Sequence, residues 1–270
     1  MNPRTLGRSF RTFAAITKAF SNWPECLLKL AAIQLLGNDS LTITWRTRSG
    51  WTFEGLRGDG SWVVVEVYAL DAYRLRQTDL PMRARIVDIG ANIGVFSIMV
   101  DELFAANVLA FEPAPAAFSK LRDNVNTNPL TGNVVCNPIA IVGNDGGGTI
   151  KFYEAIDSAT SSVVSANSEV GTWIDVPCAS LDKILSDGND VDLLKIDIEG
   201  AEYSLIRDAS VETLRRVRKI VLEYHPTEQG NLEMLVDRLR SAGFAETDRC
   251  PISEDGGLIW FDAAEAAVAA

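Results

Sequence analysis

The chain has 270 residues, 47% apolar and 23% charged, a balance suited to one large globular domain or one domain with an N-terminal addition. Lys plus Arg is 25 and Asp plus Glu is 36; the net charge of −11 argues against nucleic acid as a partner. No apolar run reaches the ~18–20 residues of a membrane span, no secretory segment opens the chain, and four scattered cysteines with one histidine argue against a Cys/His zinc cluster or a disulfide framework. A reduced, cytoplasmic protein without stable membrane insertion is the expectation.

Residues 1–40 are expected to form a helical segment. Leu6, Phe10, Phe13, Ile16 and Phe20 recur at helical spacing, and Arg4, Arg8, Arg11, Lys18 and Lys29 face Glu25 alone, a local charge of +4. Such a helix docks on its own core or on a second copy, so a homo-oligomer through this segment is one expectation. A second helix is predicted over 24–36, with Pro24 in its first turn and Gly37 at its stop. Over 41–80 the period changes. Thr42–Trp45, Trp51–Phe53 and Trp62–Tyr68 read as three strands of a small antiparallel meander, with turns at Ser49-Gly50 and Gly58-Asp59-Gly60.

From Pro81 the pattern alternates strand and helix. Strands are predicted at 86–89, 108–112, 134–141, 191–197 and 218–224, and helices at 93–104, 114–126, 181–185, 201–208 and 228–242. A glycine-rich turn at 145–148 and strand-like pieces at 149–153 and 173–176 interrupt the alternation, and strands at 244–247 and 258–261 end it. Apolar strands alternating with helices make a parallel sheet covered on both faces, here closed by a late antiparallel hairpin. The main domain is therefore expected over 81–262, and the alanine-rich 263–270 as a tail.

The sharpest local signal is Asp88-Ile89-Gly90-Ala91-Asn92-Ile93-Gly94, between the first strand of this domain and its helix. Gly90 and Gly94 permit a tight turn and close approach of backbone to a ligand, beside the free N–H groups of a helix start. The spacing is G-x-x-x-G, not the G-x-G-x-x-G of dinucleotide binders. Glu112, 22 residues after Gly90, ends the next strand, where a carboxylate can accept hydrogen bonds from two ribose hydroxyls. The bland reading of the same residues is close helix–sheet packing and a solvated strand end.

These residues, with Phe111-Glu112-Pro113-Ala114-Pro115, Leu181-Asp182, Leu194 to Glu202 and Leu222-Glu223-Tyr224-His225, resemble the FkbM-type S-adenosylmethionine-dependent methyltransferases over about residues 60–250. The resemblance implies an α/β fold, a class I methyltransferase Rossmann-like sheet of about seven mostly parallel strands. It implies S-adenosyl-L-methionine as cofactor and a small-molecule acceptor, a sugar or natural-product hydroxyl. Carried over residue by residue, Asp88, Gly90, Ala91, Asn92 and Gly94 would hold the methionine portion, with Asp88 near its ammonium. Glu112 would take the ribose; Pro113, Phe118, Asn137 and Ala140 would edge the adenine.

Lys195, Asp197 and Glu199 interrupt an apolar strand, and charges there need partners or a crevice. Ligands in this architecture bind beyond the carboxyl ends of the strands, where Asp197 and Glu199 fall, so both are expected to contact cofactor or acceptor, with Asp197 counted among the cofactor-binding residues. Lys195 reads as a structural ion pair. Glu223 and His225, two apart at the next strand end, point to one side. His225 is the expected general base, with Asp197, Glu199 and Glu223 as the other catalytic candidates. Asp197, Glu199 and Glu223 can cage a divalent cation, but three carboxylates near a sulfonium need none, and no metal is expected. The rival readings are an N-methyltransferase acting on an amine, a nicotinamide-dependent oxidoreductase, and a protein that kept the sheet and lost the chemistry.

Overall fold

The structure is a computed structural model that describes residues 3–36, 40–143, 147–155, 171–225, 227, 230–252 and 256–264. The predicted turn at 145–148, Pro226, the helix start at Glu228 and the tail beyond Ala264 lie wholly or partly outside the described residues, as does the side chain of Leu6. Among the described residues no helix is long and apolar enough to cross a membrane.

Helices α1 (Pro3–Ala19) and α2 (Trp23–Leu36) form as their periodicity predicts. Phe10 and Phe13 stay exposed, whereas Ile16 and Phe20 are buried. Phe20 packs on Trp45 and Tyr68, with ring centroids 4.6 and 5.8 Å away. The helix thus docks on its own chain through its C-terminal half. Strands β1 (Thr44–Arg46) and β2 (Thr52–Glu54) pair antiparallel.

The third strand of the expected meander does not form. Its residues make a short helix, α3 (Trp62–Val64), continued by a π-helical turn over Val65–Ala69. The run is rich in β-branched residues, but Val64, Val65, Val67 and Tyr68 are all buried among α1, β2 and the sheet. Burial on more than one side suits a coiled path and overrides local strand propensity.

The main sheet has seven strands: β3 (Arg85–Ile89), β4 (Asn107–Phe111), β5 (Asn133–Asn137), β9 (Val191–Ile196), β10 (Val217–Tyr224), β11 (Phe244–Pro251) and β12 (Gly257–Ala263). Three strands intervene in the chain: β6 (Ala140–Val142), β7 (Thr149–Ala155) and β8 (Gly171–Ser180). The spatial order is β11-β12-β10-β9-β3-β4-β5, with β12 antiparallel to both its neighbours and β3, β4, β5, β9 and β10 running parallel. This is the expected class I methyltransferase α/β architecture with its late hairpin. The connecting helices are α4 (Val95–Phe104), α5 (Pro115–Thr127), α6 (Leu181–Ile184), α7 (Glu202–Asp208), α8 (Val211–Arg215) and α9 (Leu232–Ala242). The strand order reverses between β3 and β9, so the crevice that receives ligands lies at the carboxyl ends of those two strands.

Alternate residues of the central strands feed two cores. Ile86 and Leu193 join α4 and the N-terminal elements on one face; Val87, Ile89, Leu194 and Ile196 join α7 and α9 on the other. The expected strand 134–141 is broken at Pro138, giving β5 and then β6. Strand β6 pairs parallel with β8, which pairs antiparallel with β7. This second sheet carries Phe152 against the end of the main one.

Candidate active site

The loop between β3 and α4 follows from its glycines. Gly90 (φ +78°) turns the chain so that its N–H and that of Ala91 donate to the carbonyl of Phe111, at 3.0 and 2.9 Å. Gly94 (φ +87°) caps α4 in the left-handed region. Asn92 (φ +50°) sits between them, and its Oδ1 is buried with no hydrogen-bond partner. Glu112, at the tip of β4, receives the Asn92 and Ala114 N–H groups on its two oxygens, each at 2.8 Å. Burial raises its carboxyl and the two N–H donors offset only part of that, which leaves it at about 7.

A pocket opens over this loop. Gly90, Asn92, Glu112 and Pro113 form one wall, Asp197, Ile198 and Glu199 another, and Ala117, Ile139, Ala140, Ile141 and Phe152 the apolar remainder. Of the residues expected at a cofactor, Gly90, Asn92, Glu112, Pro113, Ala140 and Asp197 line it. Asp88, Ala91, Gly94, Phe118 and Asn137 do not. Asp88 is wholly buried beneath the loop, accepting from Ser97 Oγ at 2.6 Å, so it steadies the loop but cannot reach a ligand's ammonium. Its parity on β3 points it at α4. Ala91 is buried, and Gly94 packs against Leu121. Phe118 packs on the core under the Arg122 guanidinium, and the Asn137 amide donates to the carbonyls of Ala110 and Val135. Ala117 takes the place expected of Phe118, one position along α5. Phe152 was invisible in the sequence, because only the second sheet brings it here.

Lys195 is the structural ion pair it was expected to be. Its side chain is 3% exposed, donates to the Gly90 carbonyl at 2.5 Å, and lies 3.3 Å from Asp88 and 3.5 Å from Asp197. Burial opposes its charge, but Asp88 and Asp197 outweigh that and raise its pKa. The lysine therefore ties the glycine loop to the end of β9.

Beyond β9 and β10 the remaining charged candidates converge. Glu199 (φ +54°) and Gly200 (φ +103°) turn the chain sharply. Glu202, at the start of α7 and wholly buried, accepts the N–H of Ile198 on Oε1 and that of Gly200 on Oε2, at 3.0 and 2.9 Å. The same Oε1 lies 2.9 Å from His225 Nδ1. On the other side of the ring, His225 Nε2 is 3.5 Å from Glu199 and 3.9 Å from Glu223. The N-terminal elements contribute Tyr73, whose hydroxyl reaches Asp197 at 2.9 Å and Glu223 at 3.2 Å. Sequence reasoning missed Tyr73, Glu66 and the anchoring role of Glu202, since only tertiary structure joins them to the cluster.

The electrostatics of the cluster bear on His225. Burial works against a charged imidazole, but the hydrogen bond and charge of Glu202, with Glu199 and Asp197 nearby, push it up to about 10. That shift favours the protonated ring, so a neighbouring carboxylate competes with His225 for the expected part of general base. Burial, with Asp197 adding to it, raises Glu199 to about 7 and Glu223 to about 8. Glu66 is likewise raised by burial and Asp197.

Comparison with known proteins agrees with this geometry. The methyltransferase FkbM domain matches residues 88–245. The chain is 25% identical over 195 residues to methyltransferase sdnD of Sordaria araneosa, covering 61% of this chain and 74% of that one. It is 24% identical over 221 residues to 31-O-demethyl-FK506 methyltransferase FkbM of Streptomyces tacrolimicus, covering 69% and 82%. Over 177 residues it is 26% identical to the hexuronic acid methyltransferase AglP of Haloferax volcanii, covering 65% and 66%. The matched span begins at Asp88, runs through the glycine loop, both carboxylate-bearing strand ends and His225, and includes more than half of the chain: the protein belongs to the FkbM methyltransferase family.

Proposed function

We propose that the protein transfers the methyl group of S-adenosylmethionine to a hydroxyl of a small acceptor, a sugar or a natural product. One observation carries this reading: Asp197 and Glu199 belong both to the wall of the pocket beside Glu112 and to the carboxylate cluster, so donor and acceptor would meet at these two side chains. Three features of the pocket suit the cofactor. Glu112 offers oxygens to two ribose hydroxyls, Asn92 Oδ1 is a buried acceptor without a partner, and an apolar slot lies under Phe152. When bound, the cofactor supplies a methyl already activated on a sulfonium. The chain's residues then need to hold the acceptor oxygen in line, exclude water and take one proton. A carboxylate of the cluster would take that proton, and the names of two relatives, a 31-O-demethyl-FK506 methyltransferase and a hexuronic acid methyltransferase, support an oxygen acceptor.

The test is transfer of an isotopically labelled methyl group to a panel of sugars and polyketide alcohols, with the product's methyl assigned by NMR. A methyl ether is expected. A product methylated only on nitrogen would give the site to an amine held by the carboxylates.

Glu112→Ala should weaken binding of S-adenosylhomocysteine by about 2–3 kcal/mol, the loss of two charge-assisted hydrogen bonds. Because burial lifts this carboxyl to about 7, wild-type affinity should fall as pH drops through that value and the group becomes neutral. Calorimetry between about pH 6 and 8.5 reads both effects. Equal affinity in the variant, or a flat wild-type profile, removes Glu112 from the ribose site.

A further inference from the structure

We propose that α1 and α2 form a docking face for a lipid surface rich in anionic headgroups, with the acidic body of the chain turned away from it. The proposal does not depend on the function proposed above.

The apolar side of this face is the first observation. Cys26, Leu30 and Ile33 of α2 are buried in the core. Two positions away along the chain, and so about 200° around the helix, Pro24, Leu28, Ala31 and Leu35 are all exposed. Leu28 and Leu35 keep 73% and 82% of their surface in water. Apolar residues scattered singly over a surface are ordinary, but four at i, i+4, i+7 and i+11 make one line down one helix. Helix α1 adds Phe10, which is exposed, and Phe13, whose ring stands edge-on to Trp23 of α2 with centroids 5.6 Å apart. Both precede Ile16, where α1 enters the core.

Charge is the second observation. Residues 1–48 carry seven Lys and Arg against two Asp and Glu, whereas the rest of the chain carries 18 against 34. The molecule is therefore polarised, with its positive end on the helices that hold the exposed apolar line. Arg11 and Lys18 are exposed and make no ion pair among the described residues. With Phe10 they line an open groove whose other side holds Arg48 and Arg76, and Asp71 beside Arg76. Four cations around an outward phenylalanine suit phosphate headgroups above acyl chains, the pattern of helices that lie in a membrane interface.

Shape selects among partners. The line spans less than two heptads and includes a proline, which is too short for a coiled coil with another helix. A second copy docking by the same face would set seven cations against seven. The line lies on the outward side of its helix and offers no pocket for a partner's side chain, whereas a bilayer surface takes it as it stands. Neither helix is long and apolar enough to span a membrane, so the contact lies among headgroups and is reversible.

The experiment is sedimentation of the full chain with vesicles of phosphatidylcholine, alone or mixed with phosphatidylglycerol. Wild type should sediment with the mixed vesicles only, and should be released at ~1 M salt, where charges are screened beyond about 3 Å. Leu28→Ser with Leu35→Ser should weaken binding at least about tenfold. Both side chains already stand in water, so the pair should leave the urea unfolding midpoint where it is. Arg11→Gln with Lys18→Gln should weaken binding about 25-fold, a factor of about five for each charge near the surface. These two break no ion pair, so they carry the test if the leucine pair disturbs the fold. Met234→Ser, an exposed apolar residue of α9, should bind as wild type does. Wild type that stays in solution with the mixed vesicles overturns the proposal, as does binding that neither pair of substitutions weakens. Light scattering reads the rival partner: a dimer that Leu28→Ser with Leu35→Ser turns into monomer gives the face to a second copy and overturns the lipid reading.

Discussion

Replacing Lys195 by methionine should destabilise the fold by about 3–5 kcal/mol, a large part of the ~5–15 kcal/mol available to a domain. The side chain is sealed between β3 and β9 at paired positions, since Lys195 stands opposite Asp88 in the strand register. Methionine keeps the volume but leaves Asp88 wholly buried with Ser97 as its hydrogen-bonding partner, and its Oδ1 already has none. The Gly90 carbonyl loses its donor as well. The cost is that of stranding a charge, so it should shrink when the charge goes too: Asp88→Asn with Lys195→Met should recover more than half of it. Urea unfolding with an unchanged slope measures both. A single variant within about 1 kcal/mol of wild type would mean that the pair contributes little beyond volume.

Gly90→Ala should be nearly as damaging, and its damage should reach the ligand. A Cβ built on Gly90 would lie 1.7 Å from the carbonyl oxygen of Asp197 and 2.8 Å from its carbon, and the residue has φ +78°. The left-handed conformation costs about 1–2 kcal/mol and the backbone overlap about 1–3 more. The loop cannot retreat, because the Gly90 N–H is bound to Phe111 and its carbonyl to Lys195. Asp197 must move instead, so affinity for S-adenosylhomocysteine should fall at least about tenfold along with stability. Gly50→Ala is the internal standard: its φ is +99° but nothing lies within 4 Å of the added carbon, so it should show the conformational cost alone. Equal losses at both positions would show that the Asp197 carbonyl yields freely.

Much of this was written in the sequence for a physical reason. Buried parallel strands are predominantly apolar, so Ile86–Ile89, Val108–Phe111, Val191–Ile196 and Ile220–Leu222 announced the sheet, and charges within and beyond such runs marked buried pairs and the crevice. Strand parity was legible too but went unread at Asp88, which shares a face with Ile86 and so points under the loop. The Val-rich stretch at 62–68 misled because a short apolar run fits a strand or a buried helical turn equally well, and only its surroundings decide. Distance in sequence hid the rest. Nothing near Tyr73, Glu66 or Phe152 signals that each belongs to the crevice, and the raised pKa of His225 depends on a Glu202 that looked like one more charge at a helix start.

The Tyr73 bridge has a consequence for the order in which the molecule is made. The pocket's loop is held by Glu112 through a contact spanning 20 residues, whereas the Tyr73 hydroxyl meets Asp197 and Glu223 across 124 and 150. Closing the longer loops costs more chain entropy, and a nascent chain cannot complete the pair until β10 has left the ribosome. The turn that joins Asn92 to Glu112 can thus form early, from residues that emerge close together, before Lys195 arrives to tie it to β9. The half of the crevice that would meet the acceptor is completed late, by a tyrosine that emerged long before its partners and must wait for them. A chain halted before β10 would own a cradle for a donor and nothing to hand the methyl to.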